Sequence, residues 1–383
     1  MPLSKKERRR TAFCAAAAVM LSPVVFMSVG TVMPSAQELV FAAAVASAEL
    51  AAGGSKVPAA ATYDITAAVQ DRQPVFKAEV MTDDSFMLSR GELIMPSSEN
   101  EELIVVQEPT AEETPAETDS RDGVIAAMSY GIMKGNNFID LKNGGQVRNV
   151  TSVSNEELKE ESEKPLDFKI EKNGEPQILI MHTHETESYE PYERDFYDED
   201  FTCRSTDDRM NMAAVGEAIT EELEKAGIGV IHDVTKHDHP SYNGSYDRSR
   251  VTVQEILEEY PSVKVVLDIH RDAIEKEDGT RIAPVAEIDG KNAAQVMIIS
   301  GCDDGTMDMP DYMSNFRFAT ALQQQLESDH PGLTRPVLFD YRKYNQDLTT
   351  GSVLIEVGGH ANSIDQAVYS GELIGKSLVN LFT

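Results

Sequence analysis

The stretch Gln177-Ile-Leu-Ile-Met-His-Thr-His-Glu-Thr-Glu187 runs from purely apolar residues into two imidazoles and two carboxylates within a few positions. A short apolar run of this kind reads as a buried strand, and its polar continuation falls where the strand ends. In open α/β sheets that edge is where ligands bind. Two later apolar runs end in the same way, Val265-Val-Leu-Asp-Ile269 at His270 and Val353-Leu-Ile355 at Glu356. Because His and Glu together form an ordinary zinc ligand set, the three strand ends predict a hydrolytic metal site.

Outward from this stretch, strands alternate with helices. Met212, Val215, Ile219, Leu223 and Ala226 form a helical stripe that stops at Gly227, and Ile228 to Ile231 is a short strand. Val253, Ile256, Leu257 and Tyr260 repeat the helical spacing up to Pro261, and an apolar strand runs from Val263 to His270. Val296 to Ile299 reads as a strand, Tyr312 to Leu326 as a helix and Ser352 to Val357 as the last strand. The final helix opens on Ser363-Ile-Asp-Gln366, in which Ser363 and Gln366 can satisfy each other's free amides. This order predicts an α/β fold with a mainly parallel central sheet covered by helices on both faces.

The chain has 383 residues, and only the part after about Pro165 reads as steadily globular. Lys5-Lys-Glu-Arg-Arg-Arg10 precedes a mainly apolar run from Ala12 to about Met33, long enough as a helix to cross a bilayer with its basic flank inside. Ala-Ser-Ala near residue 47 offers the competing reading of a cleaved signal peptide. Either way, the rest of the chain is exported. The expected divisions are a basic flank and anchor over 1–33, an acidic, disordered tether over 34–135, a β-hairpin lead-in over 136–165 turning at Asn143-Gly144, and a catalytic domain over 166–383. Within the tether, Glu102-Leu-Ile-Val-Val-Gln107 reads as a lone strand.

The formal net charge is -31, and the first ten residues hold five basic residues against one acidic, so the remainder carries -35. Nucleic acid binding needs a basic footprint and is excluded as a function. Three cysteines, Cys14, Cys203 and Cys302, are too few and too scattered for a disulfide framework or a thiolate zinc site. There is no Gly-x-Ser-x-Gly elbow, phosphate-binding glycine loop or Cys-x-x-Cys, which argues against serine hydrolase, kinase and redox chemistry.

His184 and Glu187 are spaced to share one side of a turn, and His270 is the expected third ligand. Glu356, near the metal without binding it, is the expected proton carrier. Alternatives stand beside these. His182 is either a ligand, an orienting partner of one or an edge residue, Asp207 or Asp208 rivals Glu187, and Asp272 is a further orienting candidate beside His270. Arg271, Asn345 and Gln346 are candidate substrate contacts. His237 and His239, before Ser-Tyr-Asn-Gly244, read as a solvated loop.

As a set, Ile178-Leu-Ile-Met-His-Thr-His-Glu-Thr-Glu-Ser-Tyr189, Asn211-Met-Ala-Ala-Val-Gly216, Leu267-Asp-Ile-His-Arg-Asp272, Tyr344-Asn-Gln346 and Leu354-Ile-Glu-Val-Gly-Gly359 resemble the stage II sporulation protein P family. The resemblance implies a fold similar to the amidase-3 group. It also implies a membrane-anchored, zinc-dependent N-acetylmuramoyl-L-alanine amidase that cuts peptide cross-links as well. By motif, His184, Glu187 and His270 match the metal ligands and Glu356 the catalytic glutamate. The implied setting is peptidoglycan at the septal membrane during forespore engulfment, between mother cell and forespore, with stage II sporulation proteins D and M as partners. A zinc carboxypeptidase-like peptidase and a non-catalytic wall-binding scaffold are the rival functions.

Overall fold

The computed structural model describes residues 121–383. The expected anchor, the lone strand at 102–107, Cys14 and most of the tether lie outside them. Among the described residues no helix is long and apolar enough to cross a membrane.

The central sheet has eight strands, with the expected run Gln177–Met181 inside β4 (Pro176–Met181). Its order is β2 (Phe138–Asp140), β3 (Gln146–Asn149), β11 (Val337–Asp340), β10 (Val296–Gly301), β12 (Ser352–Gly359), β7 (Val265–Asp272), β4 and β6 (Gly229–His232). The sheet is mixed rather than mainly parallel. β12, β7, β4 and β6 run parallel, but β10 meets β12 antiparallel and β2 meets β3 antiparallel. The second reversal is the expected hairpin, with Gly144 and Gly145 at φ 107° and 78°, backbone that side-chain-bearing residues avoid. Instead of only leading into the domain, it forms the sheet edge by pairing β3 with β11.

Strand alternation assigns the two faces. Ile178 and Ile180 of β4 and Leu267 and Ile269 of β7 join the large core. On that side lie α2 (Met212–Lys225), α4 (Tyr312–Asp329) and α5 (Ile364–Phe382). α1 (Asn155–Ser162) contributes the buried Leu158 to the same core. Leu179, Met181 and Val266 point the other way, onto Val253, Ile256 and Leu257 of α3 (Ser245–Glu259). Helices therefore cover both faces, as expected. α5 begins with the expected capping box between Ser363 and Gln366.

A second, four-stranded sheet has no counterpart in the sequence reading. It pairs β5 (Phe196–Tyr197), β1 (Gly123–Met128), β8 (Arg281–Ile288) and β9 (Lys291–Ala294) in that order. β1 falls inside the span read as tether to residue 135. Its apolar Val-Ile-Ala-Ala becomes a strand because β8, far along the chain, supplies the partner edge. Local composition carries no information about such a partner.

Candidate active site

Parallel register brings the three strand ends together. Glu356 of β12 pairs with His270 of β7, and Met181 of β4 pairs with Asp268 of the same strand. Asp268 and His270, two residues apart, share the face toward α3, as do Leu354 and Glu356 on β12.

Beyond Met181 the chain makes one turn, closed by Glu187 N–H donating to the His184 carbonyl at 3.1 Å. That places the two side chains on one side. Buried anchors at three-residue intervals hold the turn. Thr183 donates from N and Oγ1 to the two oxygens of Asp268, each at 2.8 Å. Thr186 donates from N and Oγ1 to Asp238, and Tyr189 donates to the Val357 carbonyl at 2.9 Å. The threonines and tyrosine of the motif are thus the fasteners, leaving His184 and Glu187 facing the crevice.

Glu187 Oε2 lies 3.6 Å from His270 Nδ1, too long for a hydrogen bond. It is close to the roughly 3.4 Å between two atoms bound tetrahedrally to one zinc with bonds of about 2.1 Å. His270 Nε2 is 2.8 Å from Asp268 Oδ1, at an angle that leaves it without a proper hydrogen bond. Its position is still that of a carboxylate that orients a ligand histidine from behind. The His184 ring stands nearly perpendicular to that of His270, with centroids 5.2 Å apart. Its Nδ1 is buried without a partner, 4.0 Å from Asp238 Oδ2. Glu356 is half-buried, with its Oε2 enclosed and unpartnered. No group of three His, Cys, Asp or Glu side chains among the described residues is already closed to metal-holding distances. The donor types and orphaned atoms nevertheless fit a divalent cation between His184, Glu187 and His270.

The electrostatics follow from burial and proximity. Burial lowers the His184 imidazole to about 3, helped by His270 and Arg204 and opposed by Glu187, so it is neutral and free to ligate. Burial opposes the charged form of His270, but Asp268 and Glu187 outweigh it and hold the ring protonated well above its usual range. Burial works against the Glu187 carboxylate too, yet His270, Arg271 and Arg204 keep it ionised below the usual range. Burial, then the charges of Asp272 and Glu187, push Glu356 up to about 8 against the pull of His270.

Several sequence candidates go elsewhere. Alternation sends His182 to the α2 face, where it donates from Nδ1 to the Ile269 carbonyl at 3.1 Å and accepts from His232 at 3.0 Å. Gly216 of α2 makes room for this pair, since a Cβ there would lie 2.8 Å from His182 Nε2 and closer still to His232. Gly216→Ala is expected to lose up to about 2 kcal/mol in urea unfolding, because overpacking of about 1–3 kcal/mol is offset only in part by a helix-propensity gain of about 1 kcal/mol. Asp207 pairs with Arg209 at 2.6 Å and Asp208 with Lys236 at 2.5 Å, and neither pairs with His184 or His270. Asp272 pairs with Arg335 at 2.8 Å. Arg271, read as a substrate contact, spends its guanidinium on the carbonyls of Ser188, Cys203 and Asp272. Gln346 bonds Gly301 N–H and the Ile299 carbonyl. Asn345 donates to the Tyr246 carbonyl and Ser249 Oγ. These three build the crevice rather than line it.

His237 is not solvated. It is buried, donating from Nδ1 to the His182 carbonyl and accepting from Thr252 Oγ1. Its neighbour Asp238, fully buried, accepts from Arg204 at 2.8 Å, and the Arg204 guanidinium lies 4.9 Å above the Tyr242 ring. Tyr242 stacks on His184 at 4.3 Å and 12°. Tyr246 lies parallel to His270 at 6.5 Å. Sequence reading missed Asp238, Arg204 and both tyrosines, because loops deliver Asp238, Arg204 and Tyr242, and Tyr246 lies in the first turn of α3, off its apolar stripe. Asp268 had a local signal, a carboxylate within an apolar strand two residues before His270. Cys203 and Cys302 are free thiols.

Fold and site together define an α/β protein with a His-carboxylate crevice at the carboxyl ends of its parallel strands. The family model described as stage II sporulation protein P matches residues 103–378. The chain belongs to that family. It is 33% identical over 202 residues to stage II sporulation protein P of Bacillus subtilis strain 168, covering 49% of this chain and 47% of that protein. The chain thus matches about half the length of this curated relative. Among solved structures, the N-acetylmuramoyl-L-alanine amidase AmiC2 of Nostoc punctiforme has 11% identity and a TM-score of 0.33, covering 54% of this chain and 94% of that one. The CwlD amidase of Clostridioides difficile, in complex with the GerS lipoprotein, has 13% identity and a TM-score of 0.32, covering 54% and 94%. Likenesses of that size carry no argument about chemistry.

Proposed function

We propose that this chain is a zinc-dependent N-acetylmuramoyl-L-alanine amidase with accompanying endopeptidase activity. It is anchored in the cell membrane with its catalytic domain outside the cytoplasm. It acts on peptidoglycan at the sporulation septum during engulfment, alongside stage II sporulation proteins D and M. The observation that carries this reading is the Glu187–His270 pair with His184 beside it and Glu356 in register on the adjoining strand. Family membership supplies the cellular setting.

When bound by His184, Glu187 and His270, zinc supplies Lewis acidity toward the scissile carbonyl and lowers the pKa of water. Asp268 steadies His270 from behind, and Asp238 with Arg204 steadies the turn that carries Glu187. Glu356 takes a proton from the attacking water and delivers it to the departing amine of L-alanine. The hydroxyl stays on the lactyl carbon, so the products are a free carboxylate and a new amino terminus.

The test is product analysis of purified sacculi incubated with the protein. Stem peptides released with amino-terminal L-alanine, lost on chelation and restored by zinc, are expected. Release of carboxyl-terminal residues alone indicates a carboxypeptidase instead. Sacculus binding without products indicates a scaffold.

A further inference from the structure

Two consecutive residues that are not glycine, Tyr344 and Asn345, adopt left-handed backbone with φ of 44° and 55°. Each such residue costs on the order of 1 kcal/mol, and conformations of this kind persist where the surroundings over-determine them. Here the surroundings do so. Asn345 is tied to α3 through the Tyr246 carbonyl and Ser249 Oγ. Arg250 of α3 grips Asp347 through two bonds of 2.7 and 2.6 Å. Gln346 is locked onto β10 through Ile299 and Gly301.

All this fastening presents one side chain. The half-buried Tyr344 ring lies 5.3 Å from that of Tyr246, tilted by 31°. Tyr246 in turn faces both histidines, His270 in parallel and His184 edge-on at 5.5 Å. Tyr344 also packs against the cluster of Ile299, Leu338 and Leu354, as does Met297. Met297 is the cross-strand partner of Glu356, and Leu354 shares its face. Glu356's charge reaches the phenol of Tyr344. The ring therefore stands on the reacting face of the sheet, one aromatic beyond the histidines.

We propose that Tyr344 is a substrate-binding platform on which the pyranose ring of the muramoyl group lies. The proposal rests on the amidase reading and assigns the two ends of its substrate. An N-acetylated sugar is uncharged, with an apolar face suited to an aromatic surface. The stem peptide carries carboxylates, and Arg204, partly exposed though paired with Asp238, lies over Tyr242, which stacks on His184. The sugar therefore takes the tyrosine side and the peptide the arginine side. Arg342 donates to Tyr344 Oη at 2.6 Å, at the rim of the ring rather than on its flat face.

The experiment compares wild type, Tyr344→Leu and Tyr344→Phe on two soluble probes. One is a muramoyl dipeptide, and the other is the lactoyl dipeptide that lacks the sugar ring. Binding is followed by calorimetry and hydrolysis by product release. Tyr344→Leu fills much of the same space without a flat face. It is expected to bind the muramoyl probe roughly tenfold more weakly and to raise KM with kcat within about twofold. On the lactoyl probe it should match wild type, and Tyr344→Phe should match wild type on both. Equal losses on the two probes, or no loss on the muramoyl one, overturn the platform. A wild type that binds the muramoyl probe but cleaves neither overturns the amidase reading instead, and the binding ratio still decides the platform.

Discussion

Glu356→Gln is expected to lower the release of stem peptides from sacculi by about 10²–10⁴-fold, the usual contribution of a positioned proton carrier, without loss of zinc or of fold. The glutamine keeps the shape and removes the proton. A second readout comes from stability, because the Glu356 carboxyl is raised to about 8 against about 4.3 in an unfolded chain. The folded state then binds this proton more tightly than the unfolded one, so stability falls as pH rises from about 4.3 to about 8. Chelator-treated Glu356→Gln should come closest to wild type in urea unfolding below about pH 4.3 and exceed it near pH 8 by up to a few kcal/mol. Undiminished hydrolysis by the variant would remove Glu356 from the mechanism.

His270→Ala is expected to weaken zinc binding by more than the roughly 10–100-fold lost when an outer partner of a ligand is removed, with activity falling alongside. It also strips the cation from between two buried carboxylates, Asp268 and Glu187. Leaving buried charge uncompensated costs about 3–5 kcal/mol. His270 has a raised folded pKa, so its stabilising effect in the metal-free protein is complete below about 6.5, the unfolded value. It is lost as pH rises through the folded pKa. The stability gap between wild type and variant should therefore be widest in mild acid and close toward alkaline pH. Denaturation across pH, with zinc content measured by atomic absorption, checks both parts. Unchanged zinc affinity removes His270 from the ligand set.

The strands that carry His184, His270 and Glu356 were legible because each is a concentrated apolar run with a polar terminus. The helices over 212–225, 312–329 and 364–382 were legible from their stripes and caps. Less visible were short or half-polar strands such as β5, β8 and β11, whose partners lie far along the chain. The mixed character of the sheet was hidden for the same reason, because strand direction depends on how the chain returns. Site roles divided in a similar way. Histidines and acids at strand ends announced themselves, whereas Arg271, Asn345 and Gln346 are the same polar types turned inward to hold loops.

By itself, the sequence determined which residue types end the apolar strands and how far apart His184 and Glu187 stand, because both follow from periodicity along one short piece of chain. Only the tertiary structure decided that His182 turns away toward α2 and that Asp268 backs His270. It alone brought Asp238, Arg204 and three tyrosines around the crevice, because pairing register and loop closure join residues that no local pattern connects.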